Sequence, residues 1–149
     1  MSIEKVLSET SNLILDTSVL IGYFMEEQLS IITLLDEYIF NENSSITLYG
    51  HNLLKTEVYY TVCRKKGSNE AKDILKKIEN VINIISESWL FEKAGQIKCK
   101  YPIAFSDCFS ISLGHFQDCP IFFLKERELP EDMINKINEE FKSKIYTVS

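Results

Sequence analysis

The sequence lacks the features that mark several classes of protein. It has only 3 prolines and 5 glycines in 149 residues, and no segment is rich in Pro, Gly or Ser. Its apolar runs, such as residues 121–124, are far shorter than the ~20 residues needed to span a membrane. The first ten residues contain Glu4 and Glu9 and no apolar stretch typical of a signal peptide. We therefore expect one domain, residues 1–149, in the cytoplasm.

The sequence also lacks the cysteine and histidine spacing of a zinc site. No two of the four cysteines form a Cys-x-x-Cys pair, and His51 and His115 are not at ligand spacing from them. Basic residues are in the minority, since 22 acidic and 16 basic side chains give a net charge of -6. This balance argues against wrapping nucleic acid by bulk charge. It leaves open an enzyme whose carboxylates bridge to phosphates through metal ions.

Apolar runs separated by amphipathic segments are the main positive signal. Hydrophobic residues make up 45% of the chain, enough for a globular core. The patterns predict strands at residues 12–16, 46–49, 81–85, 121–124 and 144–148. They predict helices at residues 19–25, 29–40, 53–64, 69–79, 86–98, 106–114 and 131–141. Alternating strands and helices predict an α/β fold, with a parallel sheet of about five strands flanked by helices.

Small residues indicate where several of these helices begin and end. Thr17 and Ser18 are predicted to cap the first helix, Ser68 the fourth and Ser106 the sixth. Gly114 is predicted to end that sixth helix. The aromatic residues are expected mainly in the core, because aromatic rings dominate buried surfaces. This expectation covers Trp89, Phe91, Phe105, Phe109, Phe122 and Phe123.

Acidic residues recur where the predicted strands end. In parallel sheets, ligands bind at the carboxyl ends of the strands. Asp16 ends the first predicted strand, and Glu126 follows the fourth. Asp107 lies in the first turn of a predicted helix. Glu57 lies among apolar neighbours in the helix after the second strand. Such carboxylates suit Mg²⁺ or Mn²⁺, and paired ions of this kind hydrolyse phosphodiesters. The alternative is that these acids cap helices or face solvent, because 22 acids place some at element ends by chance.

Four segments in order resemble the PIN domain family. They are LILDTSVLIGYF at 13–24, LLKTEVYY at 53–60, FSDCFSISLG at 105–114 and IFFLKEREL at 121–129. The resemblance covers nearly the whole chain and implies a PIN-like, Rossmannoid fold. The small stand-alone, VapC-like members are metal-dependent ribonucleases, and many are toxins of toxin–antitoxin pairs that form homodimers. The resemblance therefore implies Mg²⁺ or Mn²⁺ as cofactor, RNA as substrate, an antitoxin partner and a homodimer.

The resemblance assigns roles to particular residues of this sequence. Asp16 and Asp107 match acids that coordinate metal directly, Glu57 matches one that binds metal or its waters, and Glu126 matches the fourth acid. Ser18, with Thr17 before it, matches the polar position that supports the site, where the family more often has Asn.

The loop after the fourth predicted strand departs further from the family pattern. It reads Lys125-Glu126-Arg127, where the family usually has a Thr or Ser and an Asp. Lys125 and Arg127 are expected to contact RNA phosphates. Alternatively, Lys125 folds into the acidic pocket and replaces a metal ion by a salt bridge. The chain would then be an inactive PIN-fold module that binds RNA or protein. A nuclease that cleaves DNA or processes structured RNA is a further alternative, because the same acids would serve it.

Four aromatic residues flank the proposed site. Tyr23 and Phe24 follow the first acidic segment, and Tyr59 and Tyr60 follow Glu57. Packing is expected for most of them, and one or two are candidates for stacking on bases.

Overall fold

The computed structural model describes residues 2–125 and 129–149, in which strands and helices alternate. The strands are β1 (Asn12–Leu15), β2 (Thr47–Gly50), β3 (Ile82–Ile84), β4 (Ile121–Leu124) and β5 (Ile145–Val148). The helices are α1 (Ile3–Glu9), α2 (Thr17–Phe24), α3 (Leu29–Tyr38), α4 (Asn52–Lys66), α5 (Ser68–Glu79), α6 (Phe91–Lys100), α7 (Phe105–Gln117) and α8 (Glu131–Phe141). A single 3-10 turn, Glu87–Trp89, precedes α6 in this part of the chain. The predicted α/β fold is confirmed.

The strands form one parallel sheet in the order β3-β2-β1-β4-β5. From β1 the chain builds outward through β2 to β3, then crosses to the other side of β1 to form β4 and β5. The winding direction therefore reverses between β1 and β4. Such a reversal opens a crevice beyond the carboxyl ends of the two strands, where ligands bind in open α/β sheets.

Apolar side chains cover both faces of the sheet. Leu13 and Leu15 of β1 pack into a cluster with α1 to α5, while Ile14 between them packs into a second cluster with α6 to α8. Phe122 and Phe123 of β4 divide between the two clusters in the same way. Burial on both faces explains why the strands are continuous apolar runs in the sequence. Helix α1, which was not predicted, adds to the first cluster.

Helices α2 and α3 are a closely packed, strongly apolar pair. Val19 and Leu20 of α2 and Ile31 and Leu35 of α3 are fully buried in the first cluster. Within the described residues, no single helix has the length and apolar content to cross a membrane. Helices α2 and α3 reach the required length and apolar content only when they are counted together, and the angle between them is 97°.

The caps of α2 and α5 differ from the prediction. Asp16 caps α2, because its carboxylate accepts a hydrogen bond from the Ser18 N–H, so Thr17 and Ser18 are helical residues. Gly67, with φ of 90°, precedes α5, and Ser68 is the first helical residue. Glycine adopts this positive φ without the steric cost that a Cβ brings.

The predicted boundaries of α7 are also wrong. Ala104 precedes the helix, so Ser106 lies inside it, and the helix continues past Gly114 to Gln117. Gly114 is required for close packing, because a Cβ there would lie 2.3 Å from Cδ1 of Ile121 in β4. Asp118, in the left-handed conformation, ends the helix in place of the predicted glycine.

Three of the aromatic residues expected in the core are exposed. Trp89, Phe91 and Phe105 keep 74%, 63% and 66% of their surface accessible, whereas Phe122 and Phe123 are fully buried. The two buried rings belong to a central strand, which is covered on both faces. The three exposed rings lie in the 3-10 turn or at the first residues of α6 and α7. The prediction is therefore wrong for these three, because ring type alone does not give the direction in which a helical residue points.

Replacing Gly114 by Ala should destabilise the protein by about 1–3 kcal/mol, the usual cost of overpacking a core. The added Cβ would meet Ile121, and the helix and strand would have to separate. Urea unfolding measures the change. Gly95→Ala is the matched control, because nothing lies within 4 Å of its Cβ position. That variant should gain up to ~1 kcal/mol from helix propensity. Equal stability changes in the two variants would contradict the packing argument.

Candidate metal site

Three of the predicted acids line one cavity at the reversal between β1 and β4. Asp16 directly follows β1, Glu57 lies on α4, and Asp107 lies in the first turn of α7. The cavity has a volume of ≈ 330 Å³. Its other lining residues are Thr17, Ser18, Ile21, Tyr60, Thr61, Pro102, Ile103 and Ala104. Three acids up to 91 positions apart in the sequence thus share one cavity at the carboxyl edge of the sheet.

Ser18 holds the carboxylate of Asp16 in place. Oδ2 of Asp16 accepts hydrogen bonds from the Ser18 hydroxyl at 2.9 Å and from the Ser18 N–H at 3.3 Å. Oγ of Ser18 accepts a longer one, 3.4 Å, from the Leu124 N–H at the end of β4. Asp16 is only 3% exposed and lies at the N-terminus of α2, where the helix dipole favours a negative charge. Ser18 therefore connects Asp16 to the neighbouring strand β4.

Asp107 and Glu57 enter the cavity from two different helices. Asp107 is 8% exposed and is the third residue of α7, so it also lies where the helix dipole stabilises a carboxylate. Glu57 is half-buried in the second turn of α4. Because α4 belongs to the first cluster and α7 to the second, the cavity gathers acids from both sides of the sheet.

The donor atoms around this cavity suit a hard divalent cation. Mg²⁺ and Mn²⁺ prefer oxygen ligands, which the three carboxylates supply. Thr17 lines the same cavity, and its buried Oγ1 makes no hydrogen bond within the described part of the chain. Residues 2–125 and 129–149 contain no preassembled cluster of three or more His, Cys, Asp or Glu side chains.

His51 connects the two helices that carry Glu57 and Asp107, a role that the sequence did not reveal. It is fully buried at the N-cap of α4, and its Nδ1 accepts a hydrogen bond from the Leu54 N–H at 3.1 Å. The proton of the neutral ring must then lie on Nε2, which donates to Oγ of Ser110 at 2.9 Å. Ser110 lies one turn beyond Asp107 in α7. The sequence signal was a polar residue at the end of a strand, the same signal that identified Asp16.

Burial keeps His51 neutral. Its removal from water lowers the pKa of the imidazole to about 4, although the charge of Glu87 and a hydrogen bond to the Ser106 backbone oppose this shift. Glu87 accepts hydrogen bonds from the backbone and side-chain N–H groups of Asn52 at the start of α4. Burial raises the pKa of Glu87, but the bonds from Asn52 and the proximity of His51 together leave it lowered.

The loop that departs from the family pattern lies largely outside the described residues. This applies to Glu126, the predicted fourth acid, and to Arg127, a predicted RNA contact. Lys125 is described and is exposed, and its N–H donates to the carbonyl of Val148 at 3.0 Å. Its side chain lines a different cavity, beside the start of α8 and strand β5. The structure thus places Lys125 away from the lining of the carboxylate cavity.

One of the four flanking aromatic residues borders the carboxylate cavity. Tyr60 lines it and is 45% exposed. Tyr23, Phe24 and Tyr59 are partly buried and pack against the first cluster. Three of the four rings therefore pack against the core, as was expected for most of them.

Comparison with known families identifies the class of protein. The family model of the PIN domain matches residues 13–131. The chain therefore belongs to the PIN domain family, as its four segments predicted. The match spans Asp16, Glu57 and Asp107. No curated protein matches this chain.

Solved structures share the fold at low sequence identity. VapBC2 from Rickettsia felis, bound to a promoter DNA fragment, aligns with a TM-score of 0.65 at 13% identity, over 91% of this chain and 98% of that one. DNA-bound VapBC from Salmonella typhimurium aligns with a TM-score of 0.67 at 13% identity. The alignment covers 91% of this chain and 97% of that one. A toxin–antitoxin complex from Klebsiella pneumoniae aligns with a TM-score of 0.57 at 12% identity. The alignment covers 80% of this chain and 91% of that one. At such identities these likenesses establish the fold.

Stability should fall as the pH is lowered from about 6.5 towards 4, because His51 takes up a proton more readily when unfolded. The unfolded imidazole binds its proton near pH 6.5 and the buried one only near pH 4. The unfolded state therefore binds more protons in this window, so acid favours it by up to ~3 kcal/mol. Urea unfolding across this range measures the slope. His51→Asn keeps a capping oxygen but does not titrate, and it should lose this part of the slope. The same pH dependence in both proteins would exclude His51 as its source.

Proposed function

We propose that this protein is an Mg²⁺- or Mn²⁺-dependent endoribonuclease that hydrolyses RNA phosphodiester bonds. The observation that carries this proposal is the shared cavity of Asp16, Glu57 and Asp107 at the β1–β4 reversal. Membership of the PIN domain family supports it, because nucleases belong to this family. Thr17, whose hydroxyl is buried, lines the same cavity.

In such a reaction, the residues of the cavity would have different roles. Asp16 and Asp107 would hold the cation, and Glu57 would bind it or orient its waters. When bound, a divalent cation lowers the pKa of water and offsets the negative charge that develops on the phosphate. Ser18 fixes the orientation of the Asp16 carboxylate through its two hydrogen bonds. Glu57, which is half-buried, retains access to solvent and can accept a hydrogen bond from the attacking water.

The biological role that we propose is the toxin of a type II toxin–antitoxin pair. A toxin–antitoxin complex is among the structures that share this fold, as are two VapBC complexes bound to DNA. The two VapBC chains are covered over 97–98% of their length. The proposed partners are an RNA substrate, a cognate antitoxin protein and a second copy of the chain, and the proposed location is the cytoplasm. Lys125 and Arg127 remain predicted contacts to RNA.

A catalytically inactive PIN-fold module is less well supported than the nuclease. That alternative was motivated by Lys125 folding into the acidic pocket as a replacement for metal. The side chain of Lys125 instead lines the cavity beside α8 and β5. A nuclease that cleaves DNA or processes structured RNA would use the same carboxylates, so the choice of substrate decides between these functions.

Asp16→Asn and Asp107→Asn should each lower Mn²⁺-dependent cleavage of single-stranded RNA by more than the ~10–100-fold typical of changes beside a metal ligand. Each change keeps the shape of the side chain and removes a negative charge from the cavity. Cleavage of matched RNA and DNA oligonucleotides gives the rates. Asp118→Asn is the control, since Asp118 is an exposed acid at the opposite edge of the sheet, paired with Lys144 at 3.1 Å.

Unchanged cleavage in Asp16→Asn and Asp107→Asn would rule out this catalytic site. Preferential cleavage of DNA would replace RNA as the substrate while leaving the site intact.

Mn²⁺ should bind to the metal-free protein, and Asp107→Asn should abolish or strongly weaken that binding. A buried carboxylate at a helix N-terminus is a strong oxygen ligand, and the amide is neutral. Titration calorimetry measures both affinities without any nucleic acid, and Asp118→Asn again serves as control. Equal heats from the wild type and Asp107→Asn would show that the metal does not bind at this cavity.

A further inference from the structure

A row of exposed residues runs along α4 beside the carboxylate cavity. Asn52, Thr56, Tyr60 and Arg64 are spaced four apart and are all exposed. Residues at this spacing lie on one face of a helix. Glu57 and Thr61, each one position further along, line the carboxylate cavity. Tyr60 is the member of this row that also lines the carboxylate cavity.

A second cavity lies on the other side of this row. It has a volume of ≈ 470 Å³ and is lined by Asn52, Lys55, Thr56, Tyr59, Tyr60 and Leu75. Tyr60 is the residue that the described linings of the two cavities have in common.

The lining of the second cavity has the chemistry that a nucleobase requires. Tyr59 and Leu75 provide apolar surface, and Tyr60 offers an exposed aromatic ring. Asn52 and Thr56 bring an amide and a hydroxyl, groups that exchange hydrogen bonds with the edge of a base. An aromatic ring beside a few polar groups is the arrangement with which proteins bind unpaired bases.

A positive charge lies over one face of the Tyr60 ring, which leaves the other face for stacking. The guanidinium carbon of Arg64 is 5.1 Å from the centre of the Tyr60 ring, and Lys65 and Lys66 follow it in the last turn of α4. Lys65 is paired with Glu27 at 3.2 Å. Arg64 therefore supplies a cation beside Tyr60, close to a cavity whose described lining holds three carboxylates, where a phosphate adjoining a stacked base would require one.

We propose that the second cavity binds an unpaired nucleobase of single-stranded RNA, stacked on Tyr60, next to the phosphate that is cleaved. The inference rests on the proposed function, because that function places the reacting phosphate at the carboxylates. Tyr60 then acts as a binding residue that positions the strand across α4. Stacking accepts any base, so the hydrogen bonds of Asn52 and Thr56 supply whatever base preference the cavity has.

Binding and cleavage by Tyr60 variants test the proposal separately from the catalytic site. The probe is a short single-stranded RNA that contains one 2-aminopurine, whose fluorescence falls on stacking. Binding is measured in Ca²⁺, which takes oxygen ligands like those expected for Mg²⁺. Tyr60→Ala should weaken binding about 10-fold and lose the quenching, whereas Tyr60→Phe should keep both. With Mn²⁺, kcat/KM for cleavage should fall mainly through KM. Phe116→Ala is the matched control, because Phe116 is an aromatic residue 54% exposed at the other edge of the sheet.

Each contrary result has a distinct meaning. Wild-type binding and quenching by Tyr60→Ala would overturn the inference, even if Asp107→Asn abolishes cleavage. Equal weakening by Tyr60→Ala and Phe116→Ala would also overturn it, because the effect would not be specific to the cavity. Failure of the wild type to bind this RNA would also overturn the inference. It would favour a protein partner, rather than RNA, as the molecule that binds at the second cavity. If the wild type binds but does not cleave, the proposed function fails, and the quenching by Tyr60 variants still decides the inference.

Discussion

The hydrogen bonds of His51 are the constraint on which the arrangement of the site depends. The ring accepts from the first turn of α4 and donates to Ser110 of α7, so it joins helices from the two faces of the sheet. These helices carry Glu57 and Asp107. Because burial keeps the ring neutral, both bonds can form at once, with one nitrogen accepting and the other donating. A protonated imidazole would be a donor at both nitrogens, and the cap of α4 would be lost.

The acidic cavity concentrates negative charge in a chain whose net charge is already -6. Two features of the fold reduce the cost of this concentration. Asp16 and Asp107 each lie at a helix N-terminus, and Ser18 donates two hydrogen bonds to Asp16. Among the described residues, the lining of this cavity carries three carboxylates and no basic side chain. We expect a polyanionic substrate to approach such a lining more readily when cations accompany it, which fits the proposed divalent metal.

The sheet and the shared acids could be predicted, because both follow from short-range patterns. Strands buried on both faces are continuous apolar runs, and the strand-end rule leads directly to Asp16. His51 could not be assigned, because its role depends on Ser110, which is 59 positions away in the sequence. The exposure of Phe105 was missed for a related reason, since a helical pattern does not show which face has a partner. Gly114 looked like a helix end because its packing against Ile121 is a tertiary contact.

The topology of the sheet also limits what kind of substrate suits the site. Asp16 and Asp107 are deeply buried at the reversal, and Tyr60, in the exposed row of α4, lines both their cavity and the one beside Tyr59. A strand that reaches both cavities must cross this row, and a base beside it must turn away from its neighbours. Bases in a duplex are held by pairing and stacking on both sides, whereas those of a single strand are free to turn. If a nucleic acid strand binds across α4 as we propose, this geometry favours unpaired nucleic acid over a duplex.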